Sequence, residues 1–544
     1  MAKHEKMTSV GVQEWLLYRF TEVSKGWLAG TNLEEMAERI PYTDYTAAIA
    51  LYDTFKDRIH YIHETKSWFV WNGIYHEKIE GNLLADWMAR VFIDNHNTAL
   101  RKVKEKYLAV AAGLAGDDKV NKMNEYNKYT FGDHRKYRNG IHSSAGISGL
   151  TKQIMNRFSF NGSMFNDDTQ WVVFKNGVLD LYDLRNRPVR PGGLAELETR
   201  LLPHDPARGV YRCIDAELRA GARNDAWMKF MATSQPDPEL REFLAVMCGA
   251  ALLGENRTKT IPVLKGPKDS GKSVFINTML GLFGGYGDEP DTKSILITNG
   301  PNFEQDKFRG LRFAGMTEPS STRKVDDSFL KKFTGGDYLS TRNLHERSLS
   351  WKSQGILFIA TNIDLKFNSG DEAIRNRFAY VEFPNKFYHK HELPAELGEE
   401  FLIDAQLEAR LANEHDGILS WILNGALMYL MNGTVHIPEA VKNKRTRQYV
   451  EDNPVHLWAE ESVLGEDGPF KLVDSMENVS ATNCAKIADL YADYQKFCYS
   501  ELNADPISRR KFSAEVQAFL AVERIKSGDW RLSCVLDERP LTSV

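Results

Sequence analysis

The sequence predicts a multidomain α/β protein built around a central β-sheet. Three observations predict it. At 544 residues the chain is long enough for roughly three or four domains, each with its own core. Hydrophobic content of 42 % beside 26 % charged residues is the composition of a globular protein. From Ile261 to about residue 385, short apolar runs alternate with helical spacing, the pattern of strands interleaved with helices.

Each segment has its own reading. Residues 1–150 form an α+β accessory region, with helical periods around an aromatic strand pair, Trp68 to Tyr75. The Asn72-Gly73 step is its turn signal, since both residue types tolerate positive φ. Residues 101–140 carry ten Lys/Arg against five Asp/Glu, either a nucleic-acid contact or a solvated helix face. Residues 151–240 form a second unit with a hairpin at Trp171 to Leu181, then loops at Pro188–Gly193 and Leu202–Pro206. Helical spacing runs from Asp225 to Leu253 and leads into the core, residues 241–385. Residues 386–455 read as mostly helical, punctuated by Pro394 and Pro438. A weak linker, Gly465 to Pro469, lies within the last unit, residues 456–544. That unit holds two helices (Ala485–Ser500, Ser508–Leu520) and a strand-turn-strand, Glu523 to Cys534.

Composition excludes several classes. The longest apolar stretch, Phe243–Leu253, is too short to span a bilayer, so no membrane partner is expected. Met1–Lys6 leads into no apolar signal core. The five cysteines form no C-x-x-C pair, which argues against a zinc module and fits a reducing cytoplasm. With a net charge of −5, any nucleic-acid contact must be concentrated on one channel or module.

Residues 266–273 read Gly266-Pro267-Lys268-Asp269-Ser270-Gly271-Lys272-Ser273, a complete G-x-x-x-x-G-K-S loop, between an apolar run and the helix-like stretch Val274–Leu282. A strand delivers such a loop, its glycines let backbone N–H groups close around phosphates, and the next helix offers its positive N-terminus. Lys272 would reach the β/γ-phosphates and Ser273 would bind Mg²⁺. The segment therefore predicts a nucleoside triphosphate site formed by residues 266–274.

Downstream, Gly310 to Glu318 reads as a strand ending in an acid, which could hold Mg²⁺ through water or polarise the attacking water. A basic helix end, Leu330-Lys331-Lys332-Phe333, leads into the turn Thr334-Gly335-Gly336-Asp337. A β-branched strand ends at Thr361-Asn362, and Arg375 and Arg377 precede a further strand. An arginine reaching a neighbouring subunit's phosphate raises rates by roughly 10³–10⁵.

In this order these elements resemble the superfamily 3 helicases, more closely the phage/plasmid primase-helicase family with its poxvirus-type members. The resemblance implies an AAA+ P-loop core with ATP and Mg²⁺ as cofactors. It implies Lys272 and Ser273 as Walker A ligands, Glu318 as Walker B acid and metal ligand, and Asn362 as sensor. Lys331 with Thr334 to Asp337 matches the family's box, and Arg377 or Arg375 its arginine finger. The Trp68 hairpin and Asn176–Leu181 resemble the domain carried upstream of this helicase. Leu490–Cys498 and Pro506–Phe512 resemble a winged-helix tail. Two departures stand out: Thr317 occupies a place where many members carry an acid, and no constellation for a polymerase-type primase is present, so primase activity is not expected.

The resemblance further implies a homo-hexameric ring translocating 3′–5′ on single-stranded and forked DNA, encoded by a phage, acting in a bacterial cytoplasm beside a primase or polymerase partner. The pore hairpin would fall at 342–352, with Arg342, His345, Arg347 and Lys352 as phosphate contacts and Lys331 as a further DNA contact; Trp351 would stack on a base or fill the core. Arg509, Arg510 and Lys511 sit at a helix start, where cations are unfavourable unless an external anion is present. They would contact DNA or stay solvated on a protein-docking surface. Two rival functions share parts of this pattern: an ATP-switched origin initiator or loader, and a regulator with a relict nucleotide site.

Overall fold

The computed structural model describes residues 9–28, 33–63, 65–125, 132–160, 170–255, 259–298, 302–318, 324–341, 349–363, 372–444, 454–464, 470–472, 487–502, 505–519 and 534–536. The amino-terminal part folds as α1 (Ser9–Ser24), α2 (Leu33–Arg39) and α3 (Asp44–Phe55), then the meander β1 (Ile59–Ile62), β2 (Ser67–Trp71) and β3 (His76–Glu80). Helices α4 (Leu83–Ala112), α5 (Gly116–Glu125), α6 (Gly132–Ile141) and α7 (Ser144–Arg157) complete it. A Thr43/Thr46 capping box starts α3. One core joins Phe20, Phe55, Trp68, Met88, Phe92 and Ile154. In the last turns of α4 only Val103, Tyr107 and Ala111 are buried, so Lys102, Lys104 and Lys106 face water.

The aromatic hairpin departs from its expected register. Its turn spans Asn72–Tyr75, because the Asn72 Oδ1 accepts from the N–H groups of both Ile74 and Tyr75 at 3.0 Å. Those two residues therefore belong to the turn, and the strand resumes at His76.

The hairpin β4 (Trp171–Phe174) and β5 (Gly177–Asp180) leads through α8 (Leu181–Asn186) and α9 (Leu194–Thr199) to α10 (Asp225–Ser234) and α11 (Pro238–Leu252). Next come β6 (Ile261–Lys265), α12 (Lys272–Phe283), β7 (Gly287–Asp288), β8 (Phe313–Thr317) and α13 (Asp327–Gly335). An antiparallel pair, β9 (Tyr338–Thr341) and β10 (Leu349–Lys352), precedes β11 (Ile356–Thr361), α14 (Glu372–Arg375) and β12 (Phe378–Glu382). The five-stranded sheet has the order β12-β6-β11-β8-β7, every adjacent pair parallel. Both faces are covered, as an all-parallel sheet requires. Phe275, Ile276 and Met279 of α12 share one core with Val172, Phe174, Trp227 and Phe243. Phe329, Leu330 and Phe333 of α13 lie in the core of the opposite face. The chain leaves β6 for the β7 edge and returns to β11 beside it, so β6 lies at a switch in direction. In such sheets ligands bind outside the carboxyl ends of the strands at that switch.

Past the sheet, the expected mostly helical stretch is helical only in part. Residues 386–406 are irregular apart from the 3-10 turn Glu399–Phe401, and a bridge joins Tyr388 to Leu402. Pro394 and Gly398 interrupt it, and its backbone bonds go elsewhere: Phe387 N–H donates to the Asp269 carbonyl at 2.8 Å. Helices α15 (Leu407–Asn413) and α16 (His415–Asn432) follow. A separate core at the carboxyl end joins α17 (Pro454–Ser462), β13 (Phe470–Leu472), α18 (Ile487–Ser500) and α19 (Arg509–Phe519). There β13 pairs antiparallel with β14 (Cys534–Leu536). The expected strand-turn-strand before Cys534 lies outside the described residues. Among the described residues no helix is long and apolar enough to cross a membrane.

Candidate nucleotide-binding site

The 266–273 loop turns from the end of β6 into α12. Its first glycine sits where no Cβ fits: one at Gly266 would meet the Phe383 carbonyl oxygen at 2.2 Å. Gly271 has φ +90°, and a Cβ there would lie 2.6 Å from Ser234 Oγ. Asp269 also takes a positive φ of 59°. The loop closes around one ammonium. Lys272, only 6 % exposed, donates to the carbonyls of Gly266 (2.9 Å) and Pro267 (2.6 Å) and to Ser270 Oγ (2.9 Å). Burial pushes the Lys272 pKa down, while the Glu318 and Asp269 carboxylates oppose the shift. Ser273 is exposed beside it; Pro267 and Lys268 are exposed at the loop tip, and Val274 is half-buried.

Parallel registry brings the other strand ends to the same edge. Ala360 of β11 pairs with Leu264 of β6 and with Thr317 of β8. Asn362 and Glu318 therefore follow immediately beyond the edge where the loop begins. Asn362 Nδ2 lies 3.5 Å from Glu318 Oε1. Glu318 holds a left-handed φ of 47° while its N–H donates to the Ala360 carbonyl at 2.8 Å. For a side chain with a Cβ that conformation is strained, and such strain clusters at functional sites.

The loop opens onto two spaces. A cleft of about 270 Å³ is lined by Lys265, Gly266, Pro267, Asn362, Glu382 and Phe383. On the other side lies a groove of about 730 Å³. Its walls are Phe230 and Thr233 of α10, Asp269 and Gly271 of the loop, and Phe387 and Leu402 of the irregular segment. The walls outside the loop lie remote from it in sequence and carry no motif; the one local signal is the aromatic spacing of α10.

The arginines are elsewhere. Arg377 precedes β12, whose Phe378 pairs with Ile261, the first residue of β6. It thus lies about 13 Å of strand length from Lys265, at the opposite edge of the sheet. Its Nε donates to Thr334 Oγ1 at 2.8 Å, and Nη1 donates to the Ala373 carbonyl. Arg375 ends α14 beside it. Lys331 is half-buried on α13. Lys352 is exposed at the base of the β9–β10 hairpin, paired with Tyr338, its Nζ 4.7 Å from that ring. Arg342, His345 and Arg347 lie outside the described residues. Trp351 is buried in the core of the α13 face. Arg509 and Arg510 are exposed and Lys511 half-buried in the first turn of α19, which Ser508 precedes, its carbonyl accepting from Phe512 N–H at 2.9 Å.

Comparison with known proteins adds a family signal. Residues 48–249 match the family described as D5 N terminal like. A protein named "Putative helicase" from Acanthamoeba polyphaga mimivirus is 24 % identical over 285 residues, covering 50 % of this chain and 28 % of its own length. A similarly named protein of Sputnik virophage is 28 % identical over 208 residues, 36 % of this chain and 27 % of that protein. One from Frog virus 3 is 23 % identical over 250 residues, 44 % and 26 %. The chain thus spans about a quarter of the length of these relatives. Among solved structures, the apo C-terminal region of NrS-1 aligns at a TM-score of 0.36 and 10 % identity over 59 % of this chain and 77 % of that one. The sequence similarities support a relationship to D5-like primase-helicases.

Proposed function

We propose that this chain is an ATP-dependent DNA helicase of the superfamily 3 type with an AAA+ core, hydrolysing Mg·ATP at the subunit interfaces of a hexameric ring and moving 3′–5′ on single-stranded DNA. The observation that carries the reading is the convergence of the Lys272 loop, Glu318 and Asn362 at the carboxyl edge of one parallel sheet. The cradle fits a triphosphate: its two glycines leave no room for side chains, and its ammonium is held among loop oxygens that phosphate oxygens would replace as acceptors. Lys272 would bind the β/γ-phosphates, and Ser273 and Glu318 would hold Mg²⁺, directly or through water. The nucleoside would occupy the groove between α10 and residues 387–410. Bound Mg²⁺ would neutralise charge developing on the transferred phosphoryl group. Glu318, oriented by Asn362, would hold the attacking water and draw off its proton.

The position of Arg377 supports assembly. It is too far along the sheet to reach its own loop, yet an arginine at that edge suits a neighbour's phosphate. DNA contacts are assigned to the β9–β10 hairpin and to Arg509, Arg510 and Lys511. The test is a fork-unwinding assay with wild type, Lys272→Ala and Glu318→Gln, alongside light scattering with an ATP analogue. Wild type should form rings and displace a strand, while both variants bind DNA without unwinding. ATP turnover with no displacement on forks of either polarity would refute the motor.

A further inference from the structure

The strand that carries Glu318 has a second functional face. Gly315 of β8 looks onto α12, since a Cβ there would meet Ile276 Cγ2 at 2.7 Å. Two residues on, about 6.6 Å along the strand, the same face carries Thr317. Three residues before Ile276, about 4.5 Å back along α12, the helix carries Ser273. The two hydroxyl residues are therefore nearly level, on facing elements, at the edge where the loop begins. Thr317 brings no charge of its own. Its Oγ1 donates to Glu289 Oε1 at 2.7 Å, and Glu289 follows β7, the outermost strand, whose Asp288 Oδ1 accepts from the Glu289 N–H at 2.9 Å.

We infer that Glu289 is a positioning residue for the divalent cation bound with nucleotide, acting through Thr317. This rests on the triphosphate site proposed above. A threonine hydroxyl that gives its proton to a carboxylate has only lone pairs left to present. It can then accept from a water on the metal but cannot donate to a competing anion. The exposed Glu289 carboxylate adds negative charge on the Ser273 side of the site, beside that of Glu318. Mg²⁺ keeps several of its waters when bound, so partners beyond the direct ligands matter to it. One acidic role is thus split between a strand-end hydroxyl and a carboxylate from the neighbouring strand.

The alternative is a staple holding the two-residue β7 against β8. Glu289→Gln separates the two, because the amide oxygen still accepts from Thr317 while the charge is gone. Affinity of the full chain for a fluorescent ATP analogue is measured in Mg²⁺ and in EDTA. Glu289→Gln should weaken binding in Mg²⁺ by about tenfold and leave the EDTA value within about twofold, the scale of outer-shell changes at metal sites. Adding Thr317→Asp should restore Mg²⁺-dependent binding. Equal losses in both conditions, or no loss in either, would overturn the inference. If wild-type binding is indifferent to Mg²⁺, or Lys272→Ala binds like wild type, the triphosphate site itself fails and Glu289 falls with it.

Discussion

Three glycine-to-alanine changes isolate what the loop geometry contributes. At Gly336 (φ +74°) a Cβ meets nothing within 4 Å, so Gly336→Ala costs only the left-handed backbone penalty, about 1–2 kcal/mol. Gly271→Ala adds contacts at 2.6 Å to Ser234 Oγ and 3.0 Å to Phe230 Cε2. A hydroxyl can rotate away, but the ring belongs to the packed α10 core, so the total is about 2–4 kcal/mol. Gly266→Ala meets backbone instead, the Phe383 carbonyl at 2.2 Å. That residue is pinned by its N–H bond to the Lys265 carbonyl at 2.7 Å, so the loop or the end of β12 must shift by about 1 Å, a misplacement that costs a positioned reaction roughly a hundredfold in rate and takes the loop N–H groups off the phosphates. The assay pairs urea unfolding with nucleotide titration. The expected order of affinity loss is Gly266→Ala, then Gly271→Ala, with Gly336→Ala near wild type. Wild-type affinity in Gly266→Ala refutes the reasoning.

Two further outcomes concern stability. Arg312 is 1 % exposed, donates to the carbonyls of Leu252 (2.6 Å) and Trp171 (2.7 Å), and lies over the Tyr286 ring. Arg312→Leu orphans one buried and one partly buried acceptor at about 1–3 kcal/mol each; urea unfolding should show a loss of several kcal/mol, and a loss below about 1 kcal/mol contradicts the account. His76 and His96 are held down to about 4, chiefly by burial. The unfolded chain binds their protons below about pH 6.5 and the folded chain does not, so stability falls from pH 6.5 towards 4 by about 1.4 kcal/mol per pH unit for each histidine. Urea midpoints for the amino-terminal unit should drop between pH 7 and 5, less steeply in His96→Phe; a flat profile contradicts neutral burial.

What could be read in the chain was what is local. The 261–283 strand, loop and helix are contiguous, and each announces itself by composition. The strand-end positions of Glu318 and Asn362 follow from apolar runs with an abrupt polar end. Their meeting does not, because strand order depends on pairings between residues far apart in sequence, such as Ile359 with both Val263 and Met316. The groove walls were illegible for the same reason: Phe230 and Leu402 share no spacing with the loop. Residues 386–406 misled because little besides Pro394 punctuates them. What outweighs a helix there is tertiary, the Phe387 bond to the 266–273 loop and the Tyr388–Leu402 bridge. Glu289 had no sequence signal; only the β7–β8 pairing brings it to Thr317.

The arginine edge gives the sharpest test of assembly. Arg377 spends Nε on Thr334 Oγ1, so one side of its guanidinium is anchored to the helix of the Thr-Gly-Gly-Asp turn. An anchored arginine at the edge remote from its own loop acts either as a brace or on a neighbour. Mixing two variants resolves this in solution. Lys272→Ala subunits keep the arginine and lose the site; Arg377→Ala subunits do the reverse. In an equal mixture of a cyclic assembly, about one quarter of interfaces pair an intact loop with an intact arginine. Turnover should therefore rise from near zero for either variant alone to about a quarter of wild type on mixing. Thr334→Val, which removes the anchor alone, should lower turnover less than Arg377→Ala does. If mixing restores nothing although the subunits co-assemble, Arg377 is a brace and the transferred charge is met by another residue.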